Sequence, residues 1–304
     1  MNATAKIPAI GLDRADLSTS IFVVTGTDAI AIKAGTVVTI AGAAHAFELD
    51  TAVDIVDPAA GRDYCIFLGS DGKPRADICD AEMLKGDILG GFHFAPSGNA
   101  TARAGGDGIP AINPFSCWDL GFRPACPDPR GMALIDGRFW ADIYLLGTDH
   151  LTDGTSRFGQ IIADGRSLPV KIGGEGRYKK LDYATAGEIY THHGKGMLSA
   201  EEFFAAAYGV SERTSRDKEP ETTGDVSGDG KKFVSGWGLF DVTGTMWQWG
   251  TDGDPDNPRA SIFGGSWFTG SEAGSRYANL GYWPVYSTGH ISARGRSDHL
   301  KPAA

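Results

Sequence analysis

The chain is poor in cysteine and has no long hydrophobic run. Its 304 residues include four cysteines, Cys65, Cys79, Cys117 and Cys126, and none follows position 126. Their wide, irregular spacing fits neither a zinc knuckle nor the dense framework of a small disulfide-stapled domain, so buried free thiols are expected. No apolar stretch approaches the roughly 18 residues of a membrane-spanning helix. The opening MNATAKIPAIGLDRADL lacks the apolar centre of a secretory signal, which predicts a chain made in a cytosol that leaves only within an assembly or by lysis. Positive charge is also in deficit, with 28 Lys+Arg against 38 Asp+Glu and a formal net charge of -10. Such a surface does not attract a polyanion, which argues against a nucleic-acid partner and against an anionic membrane.

Glycine, by contrast, is plentiful: 43 residues, about twice its usual share, beside an ordinary 41% hydrophobic and 22% charged content. Many turns and short strands are implied rather than long helices. Residues 1–15 read as an arm. From Ser20 short β-rich runs (Ile21-Phe22-Val23-Val24, residues 29–33 and 36–40) are separated by Gly26-Thr27-Asp28, Ala34-Gly35 and Gly42. A Ser70-Asp71-Gly72 turn joins runs near 64–67 and 75–77 as a hairpin. Strands at this spacing predict a small β-sandwich over 16–112, with no catalytic constellation and the plain role of a spacer or assembly module. Residues 99–114, rich in Gly, Ala and Pro, mark the boundary.

A second domain, 113–304, is predicted to be α+β, with two helices beside a twisted antiparallel sheet. Residues 138–146 form a buried-strand candidate. Asp182 caps a helix that stops at Gly194. Ser199 with Glu202 makes a capping box for a second that stops at Gly209. Residues 211–232 are polar and read as an exposed loop. The stretch 263–300 then alternates two kinds of position. Gly264, Gly265, Trp267, Gly274, Arg276, Arg294 and Gly295 look architectural, whereas the residues between them are aromatic or small and polar. Aromatics among Ser, Thr, Gly and Asn are the composition of a recognition surface.

Several residues invite chemical readings. His192 and His193, adjacent near a helix end, face different directions and are expected to meet C-terminal carbonyls rather than a metal. Asp298 and His299 suggest a buried carboxylate–imidazole hydrogen bond. Asp225-Val226-Ser227-Gly228-Asp229-Gly230 opens like a calcium-binding EF-hand loop, but the twelfth position is Gly236 rather than Glu. Asp252, Asp254 and Asp256 offer a second acidic loop; for both, solvated acidic loops are the commoner reading. Trp237, Trp247, Trp249 and Trp267 are expected to brace the sheet, and Arg276 and Arg294 to pin loop backbone.

The run 238–249, followed by Gly264-Gly265-Ser266-Trp267 and the Arg294 region, resembles the formylglycine-generating-enzyme branch of the C-type lectin fold. More closely, GGFHFAP (90–96), DPRGM (128–132), FWADIYLLG (139–147), HLTDGTS (150–156), THHGK (191–195), AGSR (273–276), ARG (293–295) and DHL (298–300) resemble, in order, the phage tropism-determining variable proteins of diversity-generating retroelements. A further small N-terminal β domain of that family has no counterpart here. The resemblance implies a homotrimer at a phage tail-fibre tip, carried beside other tail-fibre proteins and binding a bacterial surface receptor without catalysis or cofactor. It also implies the ligand-facing positions: Ser266, Phe268, Thr269, Gly270, Glu272, Asn279, Gly281, Tyr282, Tyr286, Thr288, His290 and Ile291. The family diversifies such positions by altering adenines in Asn-type codons; all of these residue types are reachable that way except Glu, so Glu272 departs from the pattern. Tyr277 and Trp283 lie beside these positions without matching them. Catalytic members of the related branch hold copper through two cysteines, where this chain has Thr269 and Gly274, and neither replaces a thiolate. The lectin sugar motifs are absent, Glu219-Pro220-Glu221 being only a near match. The alternatives are a cellular variable protein with the same surface and a divergent enzyme of the formylglycine-generating type.

Overall fold

The computed structural model describes residues 10–253 and 259–300. Its first part is built of three small sheets around one core. Gly11–Asp13 pairs with Thr36–Ile40, which pairs with Ala43–Phe47; Phe22–Val24, Ile30–Ile32 and Thr51–Ala52 form the second sheet. The third runs in the order Ala111–Ile112, Gly90–Ala95, Arg62–Leu68, Pro74–Ile78 and Asp54–Ile55, with Trp118–Asp119 also on Gly90–Ala95. Inward-facing Ile21, Phe22, Ile32, Val38, Ile66 and Phe92 fill the space between them. Residues 11–13 are thus a strand, not part of a free arm: Leu12 turns inward between exposed Gly11 and Asp13 and pairs with Val38 on an open edge. Residues 1–9 lie outside the described residues.

The hairpin at Ser70-Asp71-Gly72 forms as its turn chemistry demands, with Gly72 at φ +74° and the Asp71 side chain accepting from the Lys73 amide. Its register places Cys65 opposite Asp77 and brings Cys79 to the same strand end. The expectation of four free thiols is therefore corrected: Cys65 and Cys79 are joined as a disulfide, while Cys117 and Cys126 are free and buried. Spacing alone had hidden the pair because the hairpin, not the sequence interval, sets the distance.

Gly90–Ala95 is buried along its whole length: Phe92 and Phe94 enter the first core, while His93 and Ala95 meet the second part of the chain. Asp63 accepts from Arg157, from the Gly131 amide at 2.9 Å and pairs with His93 Nδ1 at 3.0 Å, and His93 Nε2 meets the Tyr144 hydroxyl at 2.8 Å. Burial opposes the Asp63 charge, and Arg157 and His93 more than offset that, holding the carboxyl well below the ordinary range. This buried polar cluster ties strands 62–68 and 90–95 to residues 131–157.

The second part holds two four-stranded sheets. In one, Met132–Ile135, Phe139–Asp142, Gly295–Asp298 and Gly196–Met197 lie side by side, so the far end of the chain returns to its middle. The other runs Ala278–Tyr282, Ala260–Phe263, Trp247–Gly250 and Ile291–Ala293, the last pair parallel. Asp182 caps the helix Tyr183–His192 by accepting from Thr185, and Ser199 with Glu202 closes a full capping box on Ala200–Ala206. Gly194 and Gly209 follow these helices in left-handed conformation. A third helix, His150–Asp153, is only four residues long and too short to show a hydrophobic period. Residues 211–232 are largely irregular, but not the exposed loop expected: Arg216, Pro220, Thr223, Gly224 and Gly230 are buried, the segment being drawn in by bonds of Arg216 and Gly224 to the Asp241 carboxylate. The architecture is α+β, mostly strand with few helices.

Arg294 occupies the centre of this part, fully buried. Its guanidinium donates to the carbonyls of Asp142 (2.6 Å), Ile143 (2.8 Å) and Phe240 (2.5 Å) and to Gln248 Oε1 (2.9 Å). Burial pushes its pKa down to about 10 despite Asp241, Tyr190 and Asp142 nearby, so the bonds and not solvation hold the charge there. Arg276 does not share this role: it is exposed at the surface. Asp298 and His299 do not bond to each other either. Strand alternation sends Asp298 outward to Arg296, while His299 Nδ1 accepts from Trp140 Nε1 at 2.9 Å.

Candidate functional site

The backbone of residues 264–291 is fixed by elements on either side of it. Gly264 and Gly265 sit at φ +90° and +81°, where a Cβ would press within 2.9 Å of the Val242 carbonyl and 2.6 Å of Ala273; only glycine makes this corner without strain. After it the Trp267 amide donates to Thr245 (3.0 Å) and the Gly274 amide to Gly264 (3.1 Å), closing a loop. The chain then crosses as Ala278–Tyr282, an edge strand, and turns at Trp283–Tyr286. That turn is held from below: the Tyr183 amide donates to Pro284, the Leu181 amide to the Ser287 hydroxyl and the Gly165 amide to Thr288.

On this frame Phe268, Gly270, Glu272, Asn279, Gly281 and Tyr286 are exposed, and Thr269, Tyr282, Thr288 and His290 are half-buried. Phe268 keeps 55% and Tyr286 47% of its surface, large values for aromatics on a folded chain. Two aromatic groups result. Phe268 lies edge-on between Trp267 (5.2 Å) and His290 (5.1 Å); Tyr286 meets Tyr282 at 5.6 Å, and Tyr282 in turn leans on Trp249. Such contacts fix ring orientation while leaving outer faces free. Trp283, 46% exposed, is braced by the Arg259 guanidinium stacked on its ring. Burial, and then Arg166, lower the pKa of His290 against the pull of Asp164 and Glu219. Beside it a cleft of about 400 Å³ opens between residues 161–167 and 219–222.

Ser266 and Ile291 are corrections. Both are fully buried. Ser266 follows the double-glycine corner and bridges to Thr245, beneath the loop rather than on it. Ile291 opens the strand paired with Trp247 and packs among Leu146, Ile189 and Ala293. The positions implied by the family resemblance thus include one buried residue at each end of the stretch.

The other chemical candidates fall elsewhere. Asp225 accepts from the Ser227 amide and its carbonyl from Arg216, and among the described residues no group of three or more His, Cys, Asp or Glu is placed to hold a metal. The Asp252 carboxylate accepts from the Ala200 amide, and Asp254 and Asp256 lie outside the described residues. Thr269 donates to the Ser266 carbonyl. His193 does not bond a helix-end carbonyl through its ring. Its Nε2 meets His150 Nδ1 at 3.0 Å, and His150 Nε2 donates to Val170. Of the tryptophans, Trp249 is fully buried and Trp237, Trp247 and Trp267 are half-buried.

The chain as a whole matches known proteins. A family model described as the Mtd second domain matches residues 20–119. The tail fiber receptor-binding protein of Bordetella phage BPP-1 is 40% identical over 320 residues, covering 94% of this chain and 84% of that one. Among solved structures, the Major Tropism Determinant I1 variant superimposes with a TM-score of 0.90 at 40% identity, and the U1 variant with 0.89 at 38%; each covers 95% of this chain and 86% of its own. Identity at this level along nearly the full length, in sequence and in fold alike, places the chain in the family of the major tropism determinants.

Proposed function

We propose that this chain is the receptor-binding protein of a phage tail fibre, sited at the fibre tip, and that it recognises a bacterial surface receptor through the side chains displayed between Phe268 and His290. The observation that carries this reading is the contrast within one stretch: side chains exposed and chemically mixed, backbone bonded at the loop, the turn and the strand. A surface ordered before binding loses little entropy on contact. Phe268, Tyr282 and Tyr286 are the anchors, being large rings held edge-on by neighbours. The matching tail fiber receptor-binding protein supports the phage assignment over a cellular variable protein. No covalent step is part of the mechanism.

Finer parts of the reading follow the same family. The chain divides into a β-sheet domain and a C-type lectin-like ligand-binding domain, with the expected bounds of 16 and 112 moved out to 11 and about 119 so that Gly11–Asp13 and Trp118–Asp119 stay with the sheets they pair in. Three copies assemble on the fibre, where several weak contacts combine into avidity. A retroelement varies the exposed positions other than Glu272, with Ser266 and Ile291 now the least suited because substitution there meets the core.

The test is attachment. Fluorescently labelled chain is applied to a panel of bacterial strains, and Tyr286→Ala is compared on each strain that the parent labels. Loss of a central anchor weakens attachment about thirtyfold or more, while stability falls by about 1 kcal/mol or less, since the ring is exposed and pairs edge-on with Tyr282. Equal loss of folding and attachment would place Tyr286 in the core and refute the assignment.

A further inference from the structure

The loop bearing Phe268, Thr269, Gly270 and Glu272 is not held only by its own stretch. Residues 212–215, which precede it by more than fifty positions, lie along it and bond to it repeatedly. The Ser215 hydroxyl donates to the Trp267 carbonyl at 2.9 Å and accepts from the Gly270 amide at 3.0 Å. The Arg213 amide donates to Ala273 at 2.9 Å. The Glu212 carboxylate accepts from the Ser275 amide at 3.1 Å and from its hydroxyl at 2.5 Å. On its other side the segment rests against the 243–245 turn, where the Arg216 amide donates to Gly244.

Arg213 itself has φ +57° although its side chain is exposed. A non-glycine residue held there costs about 1–2 kcal/mol, and such a conformation persists where the surroundings over-determine it. Here the bonds on either side of Arg213 supply that constraint. We propose that residues 212–215 are a clamp that sets the conformation of loop 266–275, making Glu212 and Ser215 positioning residues for ligand recognition. This rests on the reading of the displayed stretch as the recognition surface. The clamp bonds almost entirely to backbone, at Trp267, Gly270, Ala273 and Ser275, and none of its bonds uses the side chains of Phe268, Thr269 or Glu272. It therefore holds the loop in one shape whichever residues occupy those positions.

The experiment measures amide hydrogen exchange, residue by residue, on the purified full chain. Ser215→Ala speeds exchange at Gly270, and Glu212→Ala at Ser275, each by about three- to tenfold, the range expected for loss of one net hydrogen bond. Amides of Trp247–Gly250 and the unfolding midpoint stay near the parent values. Arg213→Gly, which keeps the backbone conformation, leaves both amides unchanged, and Glu212→Gln, which retains one acceptor oxygen, falls between. On a strain that the parent chain labels, Ser215→Ala and Glu212→Ala attach at least about fivefold more weakly. Unchanged exchange at Gly270 and Ser275 overturns the clamp; faster exchange with undiminished attachment overturns its role in recognition. Attachment that survives Tyr286→Ala refutes the recognition reading instead, and the exchange result still decides the clamp.

Discussion

Replacing Arg294 by methionine keeps much of the side-chain volume and removes the fork of donors at the centre of the second part. Four acceptors then change state. The Ile143 carbonyl retains the Phe240 amide at 2.8 Å, but the Phe240 and Asp142 carbonyls and Gln248 Oε1 each lose a charge-assisted bond in a site without solvent access. An acceptor left unsatisfied in the interior costs about 1–3 kcal/mol. Three of them sum to several, and sparing the chain the burial of a charge returns part of that. The expected net loss is about 3–5 kcal/mol, a large fraction of the roughly 5–15 kcal/mol by which domains are stable. Urea unfolding followed by tryptophan fluorescence reads it as a lower midpoint at constant slope. Arg294→Lys restores the charge but not the planar fork and recovers less than half. A methionine variant within about 1 kcal/mol of the parent would refute the view that this guanidinium organises the surrounding carbonyls.

Two further outcomes follow from local geometry. Because His150 Nε2 donates to Val170, its bare Nδ1 accepts from His193, and both rings are neutral; burial, then His150, Lys195 and His192, lower His193 to about 4 against the pull of Asp142. The unfolded chain takes up a proton near pH 6.5 that the folded chain refuses, so this stability is full above 6.5 and is lost as pH falls toward 4. Allowing for partial solvent screening the loss is about 1–2 kcal/mol; urea midpoints at pH 7.5, 6.0 and 5.0 should fall less steeply in His193→Gln, and an identical slope would reject the pair as its source. At the displayed loop, Ser266→Tyr overpacks a closed site and costs more than about 2 kcal/mol, whereas Phe268→Ser costs under about 1 kcal/mol in thermal unfolding; equal costs would mean the two positions do not differ in kind.

What could be read from the sequence was what depends on short range. Asp182 and Ser199 announce their helices because a cap is a bond between residues three apart. The Gly264-Gly265 corner and the mixed aromatic stretch are also local signals. Long-range partners were invisible: His150 meets His193 across 43 positions, and Glu212 meets Ser275 across 63, in a segment whose polar composition reads only as a loop. The Cys65–Cys79 pair stands between these cases, since the hairpin was legible and its register was not. Ile291 carried a usable signal, a β-branched residue opening a short buried strand, which the resemblance overrode.

The displayed stretch lies upstream of Ile291–Ala293, Arg294 and Gly295–Asp298, the pieces that close two sheets and the interior between them. A chain cut short anywhere within that stretch lacks those pieces. Such a product cannot complete either sheet, so only a chain read through the whole stretch reaches the finished fold. The order of elements along the chain thus makes folding itself a check that the displayed stretch has been translated in full.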